Sequence, residues 1–289
     1  MRAQRATLVV WISVFASFAL LLLATGCLGG AGGPEAVATL PEDELREAGT
    51  LTVCTDPTRP PLEYRSRDGV LRGFEVELME EIADRLGLGV TWVDRRRDEL
   101  ADALSRRQCD VVASTLAVRR DGSGELSRVA ASAYLAVPVS LLVRRGERGL
   151  ALTGLCGRRV AALAGTRELD LLGELGEGCA DEGRGAVEAV ATTGTPESLA
   201  ALGTGRVDAV LAEHPVNAWL AQRRTDAFDL ASILGEELAR WAIGTDRDRV
   251  GVYDAVRVSL RELHEDGTFG ELLDRWGLDR TGAIRLPTT

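Results

Sequence analysis

The spacing of apolar positions changes character along the chain. Residues 6–26, "ATLVVWISVFASFALLLLATG", carry no charge. The glycine-rich "LGGAGGPEAVATL" at 28–40 has no amphipathic period and reads as a tether. Beyond it, short apolar runs alternate with segments of helical period. "PEDELREAG" predicts a short acidic helix stopped at Gly49, and "LTVC" a buried strand. "LEYRSRDGVLRGF" predicts a hairpin turning at Arg67-Asp68-Gly69. "GFEVELMEEIADRLGLG" puts Leu78, Met79, Ile82 and Leu86 on one helical face and ends on glycine. "VTWVD", "RDELADALSRRQ" and "CDVVAST" then read as strand, helix and strand.

A second alternation follows. "VSLLVRR" and "RRVAALAG" read as strands, "TRELDLLGEL" as a helix and "VEAVAT" as a strand. "TPESLAALGTG" reads as a helix with Thr195 as N-cap and Pro196 in its first position. "RVDAVLAE" is a further strand, "HPVNAWLAQRR" a helix, and two helices close the chain within 247–277. Strands alternating with helices predict an α/β fold, a mostly parallel sheet with helices on its faces. The repetition predicts two such units of about 100 residues each.

At the N-terminus Arg2 and Arg5 precede the uncharged stretch, the layout of a secretory signal. Its length also fits an uncleaved span, which needs about 17–25 apolar residues. Ala24-Thr25-Gly26 ahead of Cys27 resembles the lipobox of bacterial lipoproteins, with Ala24 where leucine is usual. That resemblance implies a signal peptide at 1–26, lipidation of Cys27, a lipid-anchored linker at 27–40 and an extracytoplasmic body held at the cell membrane. Acyl chains contribute about 0.8 kcal/mol per buried methylene, so several on one cysteine anchor durably.

Composition is that of a globular protein, 45% apolar and 27% charged. The net charge of −10 becomes −12 once Arg2 and Arg5 are removed, which argues against a nucleic-acid partner. All 34 basic residues are arginine, which excludes a P-loop lysine and a Schiff-base lysine. With Cys27 lipidated, four of the five cysteines remain, an even set in an exported chain. Cys156 and Cys179 flank one local unit and are expected to form a disulfide.

"AGTLTVCTDPTRPPLEY…GVLRGFEVELMEEIADRLG…VTWV", "RVDAVLAEHPV" and "LRELHEDGTFGELLDRWGL", in that order, resemble the landmarks of bacterial extracellular solute-binding proteins of family 3 over about residues 40–277. These are the polar amino-acid receptors of ABC importers. The resemblance implies a periplasmic-binding-protein-like fold of type II topology, with two α/β lobes joined by two crossing strands around a ligand cleft. Lobe 1 would comprise 41–136 plus 242–289, and lobe 2 137–241. It implies a monomer without cofactor that closes on a small polar solute, an amino acid in the first instance, and delivers it to permease subunits. A membrane-tethered sensor or accessory module of the same fold is the alternative. In that topology Cys54 ends one strand and Cys109 opens its parallel neighbour, about 10 Å away, so two buried thiols are expected there.

Carried over residue by residue, Glu213 resembles the family's acid for the ligand ammonium and Asp56 a second binding acid. Gly165 and Thr166 sit at a strand-to-helix turn whose bare N–H groups favour an anion. Thr115 lies in the turn after the third strand. Arg119 or Arg120 stands near the family's carboxylate-gripping arginine, and Ala117 replaces an expected threonine. Arg59 and Arg97 occupy positions where the family carries aromatic side chains, which predicts a cleft richer in positive charge and an acidic solute. Catalysis has little in its favour. The chain holds only His214 and His264, with no Gly-x-Ser-x-Gly and no paired metal spacing. A non-enzymatic binding protein is expected.

Overall fold

The computed structural model describes residues 40–117, 129–280 and 283–284. The expectations for the signal segment, Cys27, Arg119 and Arg120 lie outside these residues. Eleven strands are described: β1 (Thr50–Thr55), β2 (Thr58–Arg59), β3 (Glu63–Arg65), β4 (Leu71–Arg72), β5 (Gly89–Asp94), β6 (Val111–Ala117), β7 (Val129–Arg144), β8 (Arg159–Leu163), β9 (Glu188–Thr192), β10 (Ala209–Glu213) and β11 (Phe228–Asp246). The helices are α1 (Phe74–Arg85), α2 (Leu100–Ser105), α3 (Arg167–Asp181), α4 (Thr195–Gly203), α5 (His214–Arg223), α6 (Val250–Glu265) and α7 (Thr268–Trp276).

Eight strands form one sheet in the order β5-β1-β6-β11-β7-β10-β8-β9, and β2-β3-β4 form a small antiparallel sheet. β1 runs parallel to both β5 and β6, and β8 runs parallel to both β9 and β10. Between these parallel sets lies the long antiparallel pair β7 and β11. The first part of β7 pairs with the end of β11, from Val129–Asp246 to Val137–Ala239. The second part pairs with the start of β11, from Val139–Leu234 to Arg144–Phe228. The register breaks at Pro138, which has no N–H to give to the ladder.

Apolar residues cover the sheet on both faces. Leu78, Met79 and Ile82 of α1 pack with Val256 and Leu260 of α6 and Phe269 of α7. Leu172 and Cys179 of α3 pack with Val160 and Leu211. A third cluster joins Leu100 and Leu104 of α2 to Cys54 and Val112. Buried Asp110 ties the termini of this framework together. It accepts from the N–H groups of Arg46 (2.7 Å) and Thr52 (2.8 Å) and from Arg249 Nη1 at 2.6 Å.

Cys156 and Cys179 form the expected disulfide. Cys54 and Cys109 are also bonded, against the expectation of two thiols, with their Cα atoms 5.7 Å apart. β6 begins at Val111, in register with Val53, and Cys109 precedes the strand, flanked by a bend at Gln108 and another at Asp110. The bends shorten the path that a regular strand would impose. Two further expectations shift. The acidic N-terminal helix is a single 3-10 turn at Glu42–Glu44. α4 is capped by Gly194, where a Cβ would meet Thr58 Oγ1 at 3.4 Å, and begins at Thr195.

Candidate functional site

Parallel α/β sheets present their strand carboxyl ends to ligands, and here those ends carry charge. Asp56 follows β1, Thr115 lies in β6 and Glu213 ends β10, and all three are buried. Arg59 on the short strand β2 reaches across to Glu213, donating from Nη2 to Oε1. Both side chains are almost wholly enclosed, 3% and 4% exposed. Arg97, in the 3-10 turn before α2, points into the same region and donates to the carbonyls of Ser114 (3.0 Å) and Thr115 (3.4 Å).

Three buried acids that sequence reasoning missed complete the cluster. Glu63 on β3 accepts from Ser114 Oγ at 3.2 Å. Glu75 in the first turn of α1 accepts from the Thr115 N–H at 2.8 Å and from the Tyr134 hydroxyl. Glu168, in the first turn of α3, is 2% exposed. Two of the three carried a signal. Glu75 falls one helical turn before Leu78 and Met79 on the same face, and Glu168 shares the stripe of Leu172 and Cys179. A carboxylate on an apolar stripe is a buried carboxylate. Nothing comparable marks Glu63.

These acids also hold the backbone. Thr115 takes φ +47°, an unusual conformation for a β-branched residue. Its N–H is bound by Glu75 and its carbonyl by Arg97.

Burial sets the protonation of the cluster. It pushes Glu63 well above the usual carboxylate range, with the neighbouring Glu75 charge adding to the effect. Burial raises Glu75 as well. Glu168 rises to about 7, first through burial and then through the negative charge of Glu213. Asp56 is raised by burial, against the pull of Thr58, Arg59 and Arg97. Glu213 moves the other way. Burial acts to raise it, but the charge and hydrogen bond of Arg59, with Arg97 behind them, leave it lowered. Glu213 is therefore the anion that Arg59 answers, while Glu63 and Glu168 are acids that hold protons far more readily.

Of the residues singled out from sequence, Asp56, Arg59, Arg97, Thr115 and Glu213 meet in this cluster, and Thr166 is buried at the start of α3 nearby. Thr166 is the N-cap residue of that helix, but its hydroxyl makes no cap hydrogen bond and donates to the Leu163 carbonyl at 2.7 Å. Gly165 takes φ +74° and stays exposed, outside the buried group. The expectation of a cleft richer in positive charge turns on protonation, because burial raises four of the five carboxyl groups gathered there. Five buried carboxyl groups (Asp56, Glu63, Glu75, Glu168, Glu213) surround two arginines.

Beside the Arg59–Glu213 pair lies a cavity of about 20 Å³ bounded by Arg59, Thr195, Ser198, Glu213 and Asn217. That is room for one water. A wider crevice of about 710 Å³ is bounded by Pro61, Pro138, His214, Trp219, Arg240 and Trp276. His214 opens α5 there, its imidazole pKa lowered by burial. Tyr64 packs against Trp219 and Trp276, with ring centroids 5.8 and 6.5 Å away. No group of three or more metal-ligating side chains occurs among the described residues.

Comparison with known proteins bears on this arrangement. The profile of bacterial extracellular solute-binding proteins, family 3, matches residues 51–279. The L-cystine-binding protein TcyJ of Escherichia coli K12 is 25% identical over 246 residues, 83% of this chain and 87% of that protein. The histidine-binding periplasmic protein of Salmonella typhimurium is 26% identical over 118 residues, 41% of this chain and 45% of that protein. Among solved structures, an ancestral arginine-binding protein bound to arginine aligns with a TM-score of 0.70 at 23% identity, covering 79% of this chain and 98% of that one. That likeness shows a periplasmic-binding-protein fold of two α/β lobes.

Proposed function

We propose that this chain, which belongs to the bacterial extracellular solute-binding proteins of family 3, captures a free amino acid between its two lobes and delivers it to an ABC importer. The observation that carries the reading is convergence. Asp56, Arg59, Arg97 and Thr115 come from one side of the β7/β11 pair, Thr166, Glu168 and Glu213 from the other, and all are buried. A zwitterion taken out of water needs both signs of charge to meet it, because an unpaired buried charge is costly. We divide the body into 41–136 plus 242–289 and 137–241. The register break at Pro138 supports hinge closure about that boundary.

The charge balance guides the choice of solute. Arg59 and Arg97 bring two positive charges, and Glu213 is the one carboxyl of the cluster held below its usual range, so partners for both ends of a zwitterion are present. With relatives named for cystine and histidine, the proposal is an amino acid of neutral or positive side chain, in place of the acidic solute expected from sequence. The amino-acid ligands in the names of the relatives support that class. The account is completed by a lipidated Cys27, a tether at 27–40 and a monomeric body that binds without chemistry. Calorimetric titration of the purified full chain in detergent with the common amino acids tests it. A single saturable site for a neutral or basic amino acid is expected. Binding of none of them, or of aspartate and glutamate alone, would overturn it. At 100 times its dissociation constant such a ligand adds about 2.7 kcal/mol of stability, which a melting curve also reads.

A further inference from the structure

Arg59 and Glu213 are separated by 154 residues and belong to different sides of the long strand pair. Among the described residues their contact is a nearly fully enclosed ion pair linking the two, and its chemistry is that of a ligand contact. A guanidinium meets a carboxylate at a strand end, among the buried charges where the solute is proposed to sit. The room beside the pair is small. The adjoining cavity of about 20 Å³ admits one water and no ammonium-bearing side chain. Two cations packed side by side against one carboxylate would repel strongly in so buried a place.

The contact is also incomplete. Arg59 engages Glu213 through Nη2, while Nη1 has no hydrogen-bond partner among the described residues, and neither does Oε1 of nearby Glu168. A guanidinium bound through one nitrogen is held less firmly than one in a bidentate fork. The second cation differs: Arg97 is engaged with the carbonyls of Ser114 and Thr115 on its own side of the sheet. Arg59 alone spans.

We infer that Arg59 is a built-in occupant of the cation seat at Glu213, a latch across the two lobes that a cationic or zwitterionic solute has to displace. The inference rests on the reading that this cluster is the solute site. It follows that the chain binds such solutes more weakly than its carboxylates would allow. Affinity is reduced by the fraction of molecules in which the seat is open. Removing the arginine side chain vacates the seat and leaves Glu213 available to a small guanidinium.

The test uses ethylguanidinium and L-arginine as probes, titrated calorimetrically into the full chain in detergent. Arg59→Ala is expected to bind ethylguanidinium at least about tenfold more tightly than the unaltered protein, the gain set by a seat open about one time in ten. Adding Glu213→Gln to Arg59→Ala is expected to abolish that gain. Equal binding by the unaltered protein and Arg59→Ala, or a gain that survives Glu213→Gln, overturns the latch. Should Arg59→Ala fail to fold, Glu213→Gln alone decides by small-angle scattering. A larger radius of gyration than that of the unaltered protein supports the latch, and an unchanged one overturns it. The two readings fail separately. If the unaltered protein binds no amino acid while Arg59→Ala gains ethylguanidinium, solute capture falls and only the occupation of the Glu213 seat by Arg59 stands. If amino-acid binding is present and Arg59→Ala weakens it, the latch falls and capture stands.

Discussion

Glu168→Gln isolates one buried acid with a definite sign. Glu168 rises from an ordinary 4.5 to about 7 through burial and the charge of Glu213. A carboxyl whose folded pKa exceeds its unfolded one binds more protons in the native state. Its effect is nil below the unfolded value, and stability is lost as pH rises through the folded value. At about 1.4 kcal/mol per pH unit, the gap corresponds to a loss on the order of 3 kcal/mol between pH 4.5 and pH 8. Glutamine keeps the shape of the protonated acid and cannot ionise. The variant should therefore match the parent near pH 4.5 and exceed it at pH 8 by up to that amount. For a body of this size the gain is about 6–12 °C in melting temperature. Thermal melts at the two pH values read it. A variant that melts below the parent at pH 8, or that differs from it equally at both pH values, would refute the reasoning.

Three further outcomes follow from the framework. Replacing Cys54 and Cys109 together with alanine should cost about 4 kcal/mol in denaturant titrations, and Cys156 with Cys179 about 3 kcal/mol, because the first pair closes the longer loop, 55 residues against 23. Equal losses would count against this loop-length argument. Asp110→Ala leaves Arg249 buried and two backbone N–H groups without their acceptor, and should cost about 3–5 kcal/mol by the same measurement. Gly73→Ala would set a Cβ 1.9 Å from the Leu62 carbonyl oxygen at φ +145°, so a loss of about 3 kcal/mol or a failure to fold is expected, and a neutral result would mean that the turn into α1 is freer than its geometry indicates.

The strand–helix alternation was legible in sequence because each element carries one clear period. What escaped has identifiable causes. The first part of β7, "VAASAYLAV", is small and weakly patterned, and it becomes strand through its pairing with β11. The Cys54–Cys109 bond depends on a bend before β6 that no local pattern announces. Arg59 and Arg97 were found because they stand where aromatics are usual, but their role could not be read from that alone. The acid content of the cluster turned on residues in helical first turns, where a carboxylate also suits the helix dipole and so passes for a surface residue. Glu75 and Glu168 were readable from the stripes they share with apolar neighbours; Glu63 needed the fold.

Amide hydrogen exchange on the full chain, with and without the amino acid that calorimetry identifies at saturating concentration, tests solute capture most directly. The account predicts added protection at 56–59 and 113–117 in one lobe together with 165–168 and 213–217 in the other. Protection confined to one lobe, or none at either, would contradict it.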